Sequence, residues 1–209
     1  MTAIRDPLRT LRSAGHLQGR RGLLLLIVLA AIGSLLPFGD RALQALRYDR
    51  AALQAGQAWR LASAHFVHLG ALHAAGDALA LVLLWLLFAA ALSPRAWLAV
   101  LLASMAAIDA GLWFLSPGVQ WYAGISGLLH GAWAAGAAAG AVRREPMALL
   151  LLVVLVLKLA WEQLHGTSLL FASFPVVVDS HLYGAIGGLL ALGLLALAGQ
   201  WRQGRPQPL

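Results

Sequence analysis

The sequence predicts an all-α membrane protein, a bundle of six transmembrane helices. Three observations carry that reading. Of the 209 residues, 61% are hydrophobic and only 11% charged, with a mean hydropathy of +0.79, whereas a soluble domain holds about 25% charged residues. The apolar residues fall into runs long enough to cross a bilayer, and Pro94, Pro117, Pro146 and Pro175 lie between runs, where helix breakers belong. The arginines gather in the tails and loops, the distribution that sets orientation in a membrane.

Residues 1–21 read as a cytoplasmic basic arm with Arg5, Arg9, Arg12, Arg20 and Arg21. Residues 22–200 form one membrane domain. Its first span, 22–36, is short but extends to Phe38 with some local thinning of the bilayer. A basic flank before a short apolar run also resembles a signal peptide, but no convincing small-x-small cleavage site follows, so the run is read as helix one. Residues 38–68 are too polar to span and too apolar for a plain linker. Leucines, Tyr48 and Trp59 alternate there with Arg41, Arg47, Arg50 and Arg60, which suits an interfacial segment. Spans two to six follow at 69–92, 95–115, 125–142, 147–164 and 180–200, and 201–209 is a cytoplasmic tail.

Charge sets the orientation. With the N-terminus inside, the cytoplasmic segments hold ten arginines, adding Arg95, Arg143, Arg144, Arg202 and Arg205 to those of the arm; the outside holds four, all in the first loop. Both termini are then cytoplasmic. Spans two, four and six begin at the outer face, which brings His65, His68, His73, Ser126 and His181 to a similar shallow depth.

The chemistry centres on Gly124-Ile125-Ser126-Gly127-Leu128-Leu129-His130-Gly131. A serine stands between small residues where a loop becomes a span. Gly127 and Gly131 are four apart, as are Gly184 and Gly188 in His181-Leu182-Tyr183-Gly184-Ala185-Ile186-Gly187-Gly188. Such pairs share a helix face and let a second backbone approach. In a plain membrane bundle these motifs only pack, and a serine bonds its own backbone. A histidine opening another span at the same depth adds chemistry, because a serine beside a histidine base can attack an acyl carbon. His181, arriving from a different helix, is the better base. His130 lies on the serine's own helix and packs beside the site. Asp179 is expected to face elsewhere, leaving a Ser126–His181 dyad.

Two further spans carry charge. His73 and Asp77 share a face of span two and can point at Ser126 to help bind a developing oxyanion; mutual hydrogen bonding is the structural alternative. In span five, Lys158, Glu162 and His165 share a face, and a self-neutralising Lys158–Glu162 pair holding register is preferred over Glu162 as the orienter of a histidine.

Taken together, GISG at 124–127, His181-x-x-Gly184, Gly56-Gln57-x-Trp59-Arg60 in the first loop, and His68-x4-His73-x3-Asp77 resemble the rhomboid intramembrane serine proteases over about residues 45–195. His130 (tyrosine in most rhomboids), the Lys158…Glu162-Gln163 run and Asp179-Ser180-His181-Leu182-Tyr183-Gly184 look most like the rhombosortase branch. The resemblance implies Ser126 as nucleophile and His181 as general base. It implies an oxyanion hole from His73, the residue at 77 and the Ser126 backbone N–H, with the Trp59-Arg60 loop half in the membrane. The partners it implies are transmembrane proteins ending in Gly-Gly, an apolar helix and a basic tail, handled in a bacterial inner membrane with the site facing outward. Rhomboids usually have asparagine where this chain has Asp77. An ionised carboxylate there would repel an oxyanion, whereas a protonated one would offer an O–H donor.

Other classes fare less well. The chain has no cysteine, which excludes disulfides, cysteine-ligated zinc and a thiol nucleophile. The net charge of +7 lacks a patch of stacking aromatics, so nucleic acid is not an expected partner. No cofactor or metal is expected: a site on His65, His68, His73, Asp77, His130 and His181 would lack a His-Glu-x-x-His motif. The remaining rival is an inactive rhomboid relative that escorts membrane clients, against which the presence of both Ser126 and His181 argues.

Overall fold

Two of the long helices in this chain start at prolines, and one of these also has a serine cap. The computed structural model describes residues 39–166 and 176–199, with positions 22, 27–29 and 31. The basic arm, the C-terminal tail and most of the expected first span lie outside the described residues. Among its described residues the first loop holds three short α-helices, α1 (Gly39–Leu46), α2 (Arg50–Gln54) and α3 (Arg60–Ser63), with the two-residue strand β1 (Tyr48–Asp49) between α1 and α2 and a 3-10 turn at Ala64–Phe66. Five long helices follow: α4 (Ala71–Phe88), α5 (Pro94–Phe114), α6 (Ser126–Val142), α7 (Pro146–His165) and α8 (Val178–Leu197). They match expected spans two to six within a few residues.

Pro94 and Pro146 turn out to be the first residues of α5 and α7. Proline suits that position, since its missing N–H would have no intrahelical partner. Ser93 caps α5 by accepting from the Ala96 N–H. The second span ends earlier than expected because residues beyond Phe88 fold back into the core. Ala89, Ala91 and Leu92 are buried, and Trp97 donates its indole N–H to the Ala89 carbonyl.

Among the described residues, α4, α5, α7 and α8 are long and apolar enough to cross a membrane. Leucines and valines crowd the exposed surfaces of α4 and α7, including Leu79, Leu83, Val153 and Leu157. Lipid tails satisfy such surfaces; water would not. α6 has 17 residues and a mostly buried Gly/Ala sequence. It is the central helix, packed by α4, α5, α7 and α8. Its small residues are the reason: a Cβ on Gly184 of α8 would strike the Gly127 carbonyl, and one on Gly188 the Gly131 carbonyl. The expected seam between the fourth and sixth spans is present, and α8 also presses Tyr183 onto Gly111 of α5.

The first loop is folded more tightly than an interfacial segment requires. β1 pairs antiparallel with β2 (Trp121–Tyr122), matching Tyr48 with Tyr122 and Asp49 with Trp121. Arg50 donates to the carbonyls of Leu112, Trp113, Ser116 and Val119, so it closes the C-terminal end of α5. Arg60 is buried and donates to the Gln44 and Arg47 carbonyls and to Gln57. Two of the four arginines therefore serve loose carbonyl groups inside the protein, while the Trp59 ring stays exposed. The loop thereby becomes a fixed strut against the segment that leads into α6.

Candidate active site

Ser126 is the first residue of α6, and two hydrogen bonds hold the segment before it. The Gly124 N–H donates to the Ala64 carbonyl at 2.9 Å, and the Tyr122 hydroxyl donates to the Gly124 carbonyl at 2.5 Å. Burial pushes the Tyr122 phenol well above its ordinary range, which keeps it a donor. Gly124 has φ +116°, and a Cβ there would meet His73 at 3.0 Å, so only glycine fits. As the opening residue of a helix, Ser126 contributes an N–H without an intrahelical acceptor.

The glycine seam sets α8 close enough for His181 Nε2 to stand 3.0 Å from Ser126 Oγ. His181 Nδ1 lies 2.8 Å from Glu162 Oε2 on α7, and both residues are buried. Lys158, one turn earlier on α7, holds Glu162 Oε1 at 2.5 Å and also reaches His130 Nε2 at 2.8 Å. His130 Nδ1 bonds the Ser126 carbonyl at 2.7 Å, and its ring stacks on His181 with centroids 3.9 Å apart. The expected Lys158–Glu162 pair is present. Its carboxylate also touches the histidine, an arrangement the sequence reading ranked second. His165 takes no part and stacks on Trp161. Asp179 turns away to bond Ser116.

His73 and Asp77 approach from α4. His73 Nδ1 accepts from the Leu69 N–H at 3.3 Å, which leaves Nε2 as the protonated nitrogen. Asp77 Oδ2 lies 3.4 Å from His73 Nε2 and 3.2 Å from His68 Nε2. It is thus positioned between two imidazoles, and His68 is a partner that sequence spacing alone did not suggest. Behind them, His65 stands 3.5 Å from both Asp109 and the Tyr122 hydroxyl.

Ser126, His181, His130, Lys158, His73 and Asp77 border one cavity of about 520 Å³, lined also by Leu69 just before α4 and by Gly76 and Ala80 along it. It is large enough for an extended peptide segment and mostly apolar. A metal has a poor claim on it. His130, Glu162 and His181 offer ligand atoms within 4.8 Å of one another, but the Lys158 ammonium already takes the His130 Nε2 lone pair and one Glu162 oxygen.

The rhomboid-domain family model matches residues 55–198, more than half of the chain. The chain is a member of the rhomboid family. A search of curated proteins and a search of solved structures each found no match. This rhomboid is an integral membrane protein, and its family is one of intramembrane serine proteases that also includes inactive members. Each motif that suggested the family, from Gly56-Gln57-x-Trp59-Arg60 to His181-x-x-Gly184, falls inside the matched range.

Proposed function

We propose that this rhomboid is an intramembrane serine endopeptidase that cleaves membrane-anchored proteins near the outer face of a bacterial inner membrane. The observation that carries the proposal is the Ser126 Oγ–His181 Nε2 contact at 3.0 Å on the wall of the α4-facing cavity. A substrate helix enters beside α4 and unwinds at the cavity. Ser126 Oγ attacks the scissile carbonyl carbon while His181 Nε2 takes the hydroxyl proton. The oxyanion forms beside His73 and the Ser126 N–H, the only charge the step creates besides the imidazolium. His181 then gives its proton to the leaving amine, and water or another amine enters to release the acyl group from Ser126.

The substrate class follows the rhombosortase-like features, His130 and the Lys158…Glu162-Gln163 run. Proteins ending in Gly-Gly, an apolar helix and a basic tail fit them, with both termini of the protease cytoplasmic. Protein in liposomes should cleave a reporter carrying such a tail and react with a fluorophosphonate, both lost in Ser126→Ala. Cleavage by Ser126→Ala would remove the protease reading. Labelling without cleavage of the Gly-Gly tail would remove the substrate class, and absence of both in the wild type would favour an inactive escort.

A further inference from the structure

α7 carries Lys158 and Glu162 within a helix apolar and long enough to span a membrane, where charged groups are costly. The dyad mechanism uses neither. Yet both sit against it: Glu162 under His181, and Lys158 between Glu162 and His130. We propose that Glu162 is a positioning residue that makes the Ser126–His181 pair a triad and sets the working tautomer of His181, and that Lys158 fixes which oxygen of residue 162 faces His181 while occupying the lone pair of His130. This rests on the protease reading of Ser126 and His181.

The argument is one of donors and acceptors. An ammonium only donates and a carboxylate only accepts. With Lys158 on Oε1, Glu162 has Oε2 free to accept, and it faces His181 Nδ1 at 2.8 Å. Nδ1 therefore carries the hydrogen. Nε2 carries the lone pair, and it points at the Ser126 hydroxyl. The neighbouring imidazole is set by the same logic. The Ser126 carbonyl only accepts, so His130 Nδ1 donates to it, and His130 Nε2 accepts from Lys158. Since Lys158 occupies that lone pair, the proton leaving Ser126 goes to His181 and not to the ring stacked on it. When His181 takes up that proton, the Glu162 carboxylate lies against the new imidazolium and stabilises it.

Glu162→Gln separates this role from packing. Its amide must give oxygen to Lys158, because an NH2 facing an ammonium is repelled. The NH2 then faces His181 Nδ1 and forces the hydrogen onto Nε2, so the base meets the Ser126 hydroxyl with a donor. Turnover should fall about 10³- to 10⁴-fold with KM little changed, the cost of a wrong tautomer in a serine protease. Lys158→Met on top of Glu162→Gln frees the amide to turn its oxygen to His181. The double variant should regain at least about tenfold over Glu162→Gln, a recovery that a merely structural ion pair does not produce.

The experiment measures kcat and KM for wild type, Glu162→Gln, Lys158→Met and Glu162→Gln/Lys158→Met, with thermal unfolding as a folding check. It also reads the His181 tautomer by ¹⁵N NMR of histidine-labelled protein in micelles. The hydrogen should be on Nδ1 in wild type and Lys158→Met, on Nε2 in Glu162→Gln, and back on Nδ1 in the double variant. A Glu162→Gln protein with the wild-type tautomer and turnover within about threefold of wild type would overturn the role of Glu162. A double variant no faster than Glu162→Gln and still in the Nε2–H form would overturn the role of Lys158. The expected tautomer changes in a protein that never labels at Ser126 would support the coupling and remove the protease reading alone.

Discussion

Two polar clusters flank Ser126, and they are built differently. On the α7–α8 side, Ser126, His181, Glu162, Lys158 and His130 are joined by contacts of 2.5–3.0 Å, each pairing one donor with one acceptor. On the α4 side, Asp77 meets His68 and His73 at 3.2–3.4 Å, and His65 meets Asp109 at 3.5 Å. There, buried atoms of His65, His68, Asp77 and Asp109 make no well-formed hydrogen bond among the described residues. A closed network is rigid and fixes tautomers. A looser one can re-aim its donors as charge develops, and catalytic contacts often tighten only with substrate in place. The difference suits the proposed division of labour, with proton transfer on the closed side and oxyanion binding on the loose one.

The comparison breaks first at the nucleophile. Ser126→Ala and His181→Ala should each cost on the order of 10⁶ in cleavage rate with expression nearly unchanged, as nucleophile or base loss does in serine proteases. His130→Ala, which leaves the Ser126–His181 contact in place, should cost far less. Rates on one reporter substrate rank the three, and a dead His130→Ala beside an active His181→Ala would reverse the base assignment.

The α4 side is tested by His73→Ala, for which a loss of about 10²–10³ in kcat is expected from removing one oxyanion donor. At Asp77 the geometry adds a second role to the donor expected from the sequence: Oδ2 between two imidazoles can hold His73 in place. Asp77→Asn keeps a hydrogen-bonding group and should retain activity; Asp77→Leu keeps none and should be impaired at every pH tested. Cleavage–pH profiles of wild type and both variants decide it. An inactive Asn variant beside an active Leu variant would exclude Asp77 as an oxyanion donor.

The seam between the clusters is sharpened by Gly184→Leu. A side chain there would strike the Gly127 carbonyl and push α8 outward. About 1 Å of misplacement costs ~100-fold in rate. Cysteine cross-linking across the N-terminal ends of α6 and α8 should report the wider gap, and full activity would show that the seam yields at no cost.

The smallest effect lies outside both clusters. Asp49 caps α2 through the Ala52 N–H and pairs with Arg47, and these hold its carboxyl below the ordinary value of 3.8. A depressed carboxyl stabilises the fold above that value, and the contribution disappears as pH falls through the lower folded-state value. Asp49→Ala should cost about 1 kcal/mol of stability at neutral pH, the worth of an N-cap, with activity almost intact. Thermal unfolding in micelles at pH 7 and pH 3 checks the sign: the gap between wild type and variant should narrow in acid.

Much of this protein was legible without coordinates. Hydropathy located the five long helices among the described residues, four of them long and apolar enough to cross a membrane, because a bilayer demands long apolar helices whatever their neighbours. The Gly127/Gly131 and Gly184/Gly188 pairs disclosed the α6–α8 seam, since residues four apart share a face on any helix. Lys158–Glu162 was legible for the same reason. Tertiary structure alone decided what those residues meet across helices. Which oxygen of Glu162 reaches His181, that Lys158 also holds His130, and that His68 joins Asp77 all depend on how α4, α6, α7 and α8 are rotated and crossed. Arg50 and Arg60 make the same point. Their charges read as headgroup anchors, yet both serve carbonyl groups left open by a helix end and a loop. Local spacing follows from helix geometry, but a cross-helix partner follows from packing, which no single segment encodes.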